Sequence, residues 1–121
     1  MKIVVLKFGG TSVGTIEKIK KVARIIGNYR KKNYKVIVVS SAMSGVTNDL
    51  IKKSRQISEN FSESEYDVLV SSGEQVACSL IAGRLKHNGI KSRSWLGWQI
   101  PIYTQGPHKN SRINQINKNK I

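Results

Sequence analysis

Two short apolar runs, Ile3-Val4-Val5-Leu6 and Val36-Ile37-Val38-Val39, stand out from a chain that is otherwise mixed in polarity. Runs this short, rich in β-branched residues and bounded by polar or glycine-containing stretches, fit strands buried in a parallel sheet. They predict strands over Lys2–Phe8 and Val36–Ser40. Between them, Ile16, Ile19, Val22, Ala23 and Ile26 recur with helical period, and lysines and arginines fill the other face. That pattern predicts a helix from near Thr15, closed by Asn33 after the basic run Arg30-Lys31-Lys32. A second helix is expected from Asn48 to about Ile57, with Thr47 or Asn48 as its N-cap. A polar, acidic connector over residues 59–67 leads into a long helix from Tyr66 to about Lys86, which ends at His87-Asn88-Gly89. Ile90 to Leu96 reads as a third strand, and Ile100 to Tyr103 as a short extended segment before a Gln105-Gly106-Pro107 turn. Strands alternating with helices in this βαβαβ order imply an α/β fold with a parallel sheet and right-handed crossovers.

Composition narrows the function classes. The chain has 121 residues, enough for one small domain with a modest core. It shows no internal repeat and no linker, and its last thirteen residues are rich in Asn, Lys and Ile. Twenty-one basic residues against seven acidic ones give a net charge of +14, which raises nucleic acid as a partner. The lysines, however, are scattered along helix faces, and none of the eight aromatic residues interleaves with a basic cluster as a stacking platform would. Four of the seven acids fall within residues 59–67, so the rest of the chain is basic without carrying a defined basic motif. A nucleic-acid binder is therefore disfavoured. Cys78 is the single cysteine and sits on a helical apolar stripe, which reads as a small buried hydrophobe and suits a reducing cytoplasm. The opening apolar run is stopped by Lys7, so neither a signal peptide nor a membrane span is expected. Neither His87 nor His108 has metal-ligand company in sequence, and no residue here is assigned to a metal.

The chemistry begins where the first strand ends. Lys7-Phe8-Gly9-Gly10-Thr11-Ser12 delivers a lysine, two glycines and two hydroxyls into one tight loop ahead of a helix. Glycines let a backbone approach an anion and aim N–H groups at it, and a following helix end adds positive potential. An ordinary glycine-rich turn is the plain alternative. The lysine precedes the glycines, so this is not the G-x-x-x-x-G-K-[ST] phosphate loop, and G-x-G-x-x-G is absent as well. A lysine before Gly-Gly resembles the amino-acid kinase superfamily, and KFGGTSV is similar to the opening signature of aspartokinases.

Two further stretches carry the same resemblance. After the second strand, Ser40-Ser41-Ala42-Met43-Ser44-Gly45-Val46-Thr47-Asn48 places small and hydroxylated residues outside the carboxyl end of a parallel strand, where ligands sit in such sheets. Helix capping by these hydroxyls is the competing reading. The string VVSSAMSGVTN resembles the second aspartokinase motif, which implies that Ser41 and Thr47 hold the amino-acid substrate. In the long helix, Gly73 costs about 1 kcal/mol relative to alanine, which suggests a close backbone approach or a helix break. Glu74 follows it; a solvated surface glutamate is its plain alternative. SSGEQVACSLIAGRL resembles the aspartokinase S-x-G-E segment, whose glutamate belongs to the substrate site.

Taken together, the resemblance implies the N-terminal portion of an amino-acid kinase domain over residues 1–121, in a parallel-sheet αβα sandwich, without regulatory ACT domains. It implies transfer of the γ-phosphoryl group of MgATP to the β-carboxylate of L-aspartate, giving 4-phospho-L-aspartate for lysine, threonine and methionine biosynthesis. Lys7, with Phe8, Gly9, Gly10, Thr11 and Ser12, would hold the ATP phosphates, and Lys7 would be catalytic. Ser41, Thr47 and Glu74 would hold aspartate, and Arg112 in the weaker-matching tail is a further contributor to test. His108 lacks the glycine that follows the family's histidine and is given little weight. The complete protein is expected to be a cytoplasmic homo-oligomer, and these residues alone are expected to be inactive. Glutamate or N-acetylglutamate kinases share the strand-lysine-glycine opening and form the alternative reading.

Overall fold

The β-branched runs pair with each other, and their register sets the rest of the molecule. In the computed structural model, which describes residues 2–117 and 119, strands β1 (Ile3–Phe8) and β2 (Lys35–Ser40) lie parallel. Ile3 stands opposite Lys35 and Phe8 opposite Ser40, so both strands end at the same level. Met1, Lys118, Lys120 and Ile121, which belong to the expected domain span, lie outside the described residues. A parallel pair needs a crossover, and α1 (Ile16–Lys31) supplies it. Thr15 caps α1 by accepting the Lys18 N–H at 3.2 Å, and Asn33 turns the chain out with a φ of +63°.

Helix α2 spans Val46–Ile57 and α3 spans Glu63–His87. Both begin earlier than the sequence suggests. The N-cap of α2 is Gly45 (φ +84°) rather than Thr47 or Asn48, because a left-handed residue there lets the helix start directly out of the turn. In α3, Glu63 and Glu65 sit in the first turn, where the positive helix end favours carboxylates, so much of the acidic connector is helical. At its far end Gly89 adopts a φ of +75°, as the C-cap signal predicts.

The core lies between the sheet and two helices. Val13, Ile19, Val22, Ala23 and Ile26 pack with Ile81 and Leu85 of α3, and Leu6, Phe8, Val36 and Val38 close the cluster from the sheet. Alternation along each strand turns the other side chains the opposite way. There Ile3 is 63% exposed, Val5 60% and Val39 48%. Among the described residues the sheet therefore carries α1 and α3 on one face, and the second outer layer of a sandwich is not seen.

The third parallel strand expected at Ile90–Leu96 is absent. That segment is held by side chains instead of a ladder: Ile90 packs against the core, Ser92 Oγ donates to the Ala82 carbonyl at 2.9 Å, and Arg93 stacks 3.9 Å over Trp95. The extended segment near Ile100 becomes β3 (Ile102–Gln105), which forms an antiparallel hairpin with β4 (Arg112–Ile116). The hairpin turn is pinned to the start of α3. His108 Nδ1 lies 2.6 Å from Asp67 Oδ2, the Lys109 N–H donates to Asp67 Oδ1 at 3.2 Å, and Lys109 Nζ is 3.6 Å from Glu63.

Candidate active site

The register of β1 and β2 brings their two following loops together at one end of the sheet. Ser41 N–H donates to the Phe8 carbonyl at 3.0 Å, extending the ladder one step into the loops. Phe8 turns its side chain into the core, so it anchors the first loop. Lys7 points to the open face with Ile3 and Val5, is exposed, and makes no ion pair among the described residues.

Beyond Phe8 the chain forms a single 3₁₀ turn, Gly10–Val13, before α1 begins at Ile16 behind its Thr15 cap, as the helical period predicts. Ser12 N–H donates back to the Gly9 carbonyl at 2.9 Å. The N–H groups of Gly9, Gly10 and Thr11 take no partner among the described residues, and open space surrounds Gly9. Lys18 Nζ donates to the Thr11 carbonyl at 2.9 Å and steadies the turn from α1. Thr11 and Ser12 are exposed. A lysine, free backbone donors and hydroxyls at one strand end fit an anionic group such as a phosphate.

The second loop packs directly on the first. A methyl group built onto Gly10 would stand 3.1 Å from the Ala42 carbonyl oxygen, and one on Gly14 would stand 3.0 Å from Ser44 Cβ. Ser41 and Thr47 are half-buried, the latter in the first turn of α2. Helix α3 reaches the same place. Gly73 does not break the helix; it permits close approach, since a Cβ there would lie 2.9 Å from Ala42 Cβ and 3.2 Å from Val46 Cγ1. The next residue, half-buried Glu74, accepts the Ala42 N–H on Oε1 at 3.3 Å.

Lys7, the Gly9–Ser12 turn, Ser41, Thr47 and Glu74 are thus gathered around the carboxyl ends of β1 and β2. Arg112 is not brought there by any contact; it is exposed on β4 opposite Gln105. His108 belongs to the hairpin clasp on Asp67. One turn beyond Glu74, Cys78 is only half-buried, and burial, with a smaller push from the Glu74 charge, holds its thiol above the ordinary range. Sequence reasoning gave Ala42, Gly14 and Ser44 no role in the site. The only available signal was the run of small residues after β2, which marks room for close approach without naming what approaches.

The amino acid kinase family profile matches residues 2–121. The chain belongs to the amino acid kinase family. Within that family it is similar to the aspartokinase of Rickettsia felis, 47% identical over 119 residues, covering 96% of this chain and 30% of that protein. The aspartokinase of Geobacillus stearothermophilus is 47% identical over 122 residues, covering all of this chain and 30% of the relative. Among solved structures, the aspartate kinase from Synechocystis superposes with a TM-score of 0.69 at 42% identity, over 71% of this chain and 15% of that one. The chain spans about 30% of the length of the curated relatives it matches. As an amino acid kinase family member it has the expected α/β character, with helices packed on the parallel β1–β2 pair.

Proposed function

We propose that this chain is the N-terminal portion of an aspartate kinase domain, in a protein that transfers the γ-phosphoryl group of ATP to the β-carboxylate of L-aspartate. The observation that carries this reading is the meeting of three separate elements at one strand end: the Lys7–Ser12 loop, the Ser41–Thr47 segment and Glu74, joined through Ala42. Similarity to aspartokinases of 41–47% identity supports the choice of aspartate.

A carboxylate is already ionised at neutral pH, so the acceptor needs no strong general base. The work left to the protein is positioning and neutralisation of charge. Lys7 supplies a mobile positive charge for the phosphate end, and Gly9 and Gly10 offer backbone N–H donors backed by the hydroxyls of Thr11 and Ser12. Glu74 has its second carboxylate oxygen available for the substrate's α-ammonium group. Ser41 and Thr47 flank it with hydroxyls for the remaining polar groups. ATP supplies the activated phosphoryl group when bound. Mg²⁺ would accompany ATP and neutralise its phosphate charge, and no residue of this chain is assigned to hold it.

The complete protein is read as a cytoplasmic homo-oligomer with no nucleic-acid or membrane partner, feeding 4-phospho-L-aspartate to lysine, threonine and methionine synthesis. A lone cysteine suits a reducing compartment, and no helix among the described residues is long and apolar enough to cross a membrane. The test is a coupled ADP-release assay on the protein as its gene encodes it, with aspartate, glutamate and N-acetylglutamate offered separately. Turnover with aspartate alone is expected. Preference for either of the others would overturn the substrate assignment.

A further inference from the structure

Ala42 carries no functional group on its side chain, yet every part of it is engaged. Its N–H donates to Glu74 Oε1 at 3.3 Å, its Cβ faces Gly73 where an added methyl would meet it at 2.9 Å, and its carbonyl oxygen abuts Gly10 at 3.1 Å from the corresponding position. It is 4% exposed. Ser41 immediately before it is tied to Phe8, and Ser44 just after it meets Gly14. We infer that Ala42 is a positioning residue: a joint that fixes the Lys7–Ser12 turn, the Ser41–Thr47 segment and the Glu74 carboxylate relative to one another.

The geometry leaves the joint no slack. Separations near 3 Å to a built Cβ are tighter than ordinary van der Waals contact, so a methyl group added from either side must displace Ala42 or its neighbour. A push from α3 travels through the Ala42 side chain, whereas a push from the 3₁₀ turn meets its backbone carbonyl. The two directions therefore differ in what can relieve them. Loss of the Ala42 methyl removes the tightest contact of a methyl at position 73, leaving the end of the Val46 side chain at 3.2 Å to give by a few tenths of an ångström, and does nothing for one at position 10.

That asymmetry supplies the test. Three variants, Gly73→Ala, Gly10→Ala and Ala42→Gly, are compared with the double variants Gly73→Ala/Ala42→Gly and Gly10→Ala/Ala42→Gly. Exchange of the residue 42 amide hydrogen, followed by NMR without substrates, reads the bond to Glu74 directly. Exchange should accelerate about tenfold or more in Gly73→Ala and return to within a few-fold of wild type when Ala42→Gly is added. In Gly10→Ala the same second substitution should bring no recovery. Equal recovery in both doubles, or in neither, would overturn the joint and leave ordinary destabilisation. If Gly73→Ala unfolds, the Gly10 pair and the recovered Gly73 double still decide, because a refolded double is itself the size-swap rescue.

The kinetic arm rests on the aspartate kinase reading. There Gly73→Ala should lower kcat by roughly 10- to 100-fold through misaligned donor and acceptor, with smaller changes in either KM, and the same selective rescue. Absence of aspartate turnover in the wild-type protein would defeat that reading alone, since the exchange measurement judges Ala42 without it.

Discussion

Replacing Glu74 by glutamine isolates charge from shape. The side chain keeps its length, and its amide oxygen can still accept the Ala42 N–H that Oε1 accepts at 3.3 Å. What remains for the ligand is then an NH₂ group, a donor facing the donor of an α-ammonium. The whole charge-assisted hydrogen bond to substrate is lost, worth about 1.5–3 kcal/mol. At 1.4 kcal/mol per factor of ten, the KM for aspartate should rise roughly ten- to hundredfold while the KM for ATP stays near its original value. Steady-state kinetics with each substrate varied in turn make the measurement. Glu74→Ala serves as the comparison, because it also removes the acceptor for Ala42 and should lower kcat in addition. An unchanged aspartate KM in the glutamine variant would remove Glu74 from the substrate site, and a rise confined to the ATP KM would move it to the nucleotide.

Lys7→Ala should cut kcat by roughly 100- to 1,000-fold, the usual scale for losing a donor to charge that develops in transfer. Its melting temperature should hardly move, since Lys7 is exposed and unpaired in the described structure; near-normal turnover would refute the phosphate role. Burial holds the Cys78 thiol up, so less thiolate is present at about pH 8 and iodoacetamide should react more slowly than with a free cysteine. Glu74→Gln removes a further upward push and should speed that reaction; slower alkylation in the variant would contradict the placement of Glu74 beside Cys78. A purified polypeptide of these 121 residues should show no aspartate-dependent ADP release and should bind an apolar dye on the face of Ile3, Val5 and Val39. Robust turnover by it would mean that the residues present make a fuller site than is proposed.

The parallel pair and the crossover helix were legible because their apolar periods are unmixed, and Thr15 and Gly89 marked helix ends by side-chain and backbone chemistry that acts locally; α3, which leaves Val68 and Val76 exposed, was legible by its length and its Gly89 end. Ile90–Leu96 misled for the opposite reason. A strand is a statement about a partner, and this stretch found its anchors in Ala82, the core and its own Trp95. The start of α2 was misplaced by the hydroxyls near Thr47, which are usual caps, whereas left-handed Gly45 did that work with its backbone. In the site, Lys7, Ser41, Thr47 and Glu74 could be singled out as residue types with recognisable chemistry. The methyl of Ala42 has none, and its place became visible only when two distant segments, the Gly10 turn and the Gly73–Glu74 stretch of α3, were seen to close on it.

The bond from Ser41 N–H to the Phe8 carbonyl has a kinetic corollary. Those two residues are separated along the chain by all of α1 and β2, so the contact cannot form until the crossover has closed. Helical turns such as those of α2 and α3 arise from near neighbours and form fast, while a parallel pairing waits on its long-range partner. During synthesis or refolding, the helices would thus be in place while the loops after β1 and β2 were still apart. The end of the sheet that would gather the proposed site's ligands depends on that long-range closure rather than on any local turn.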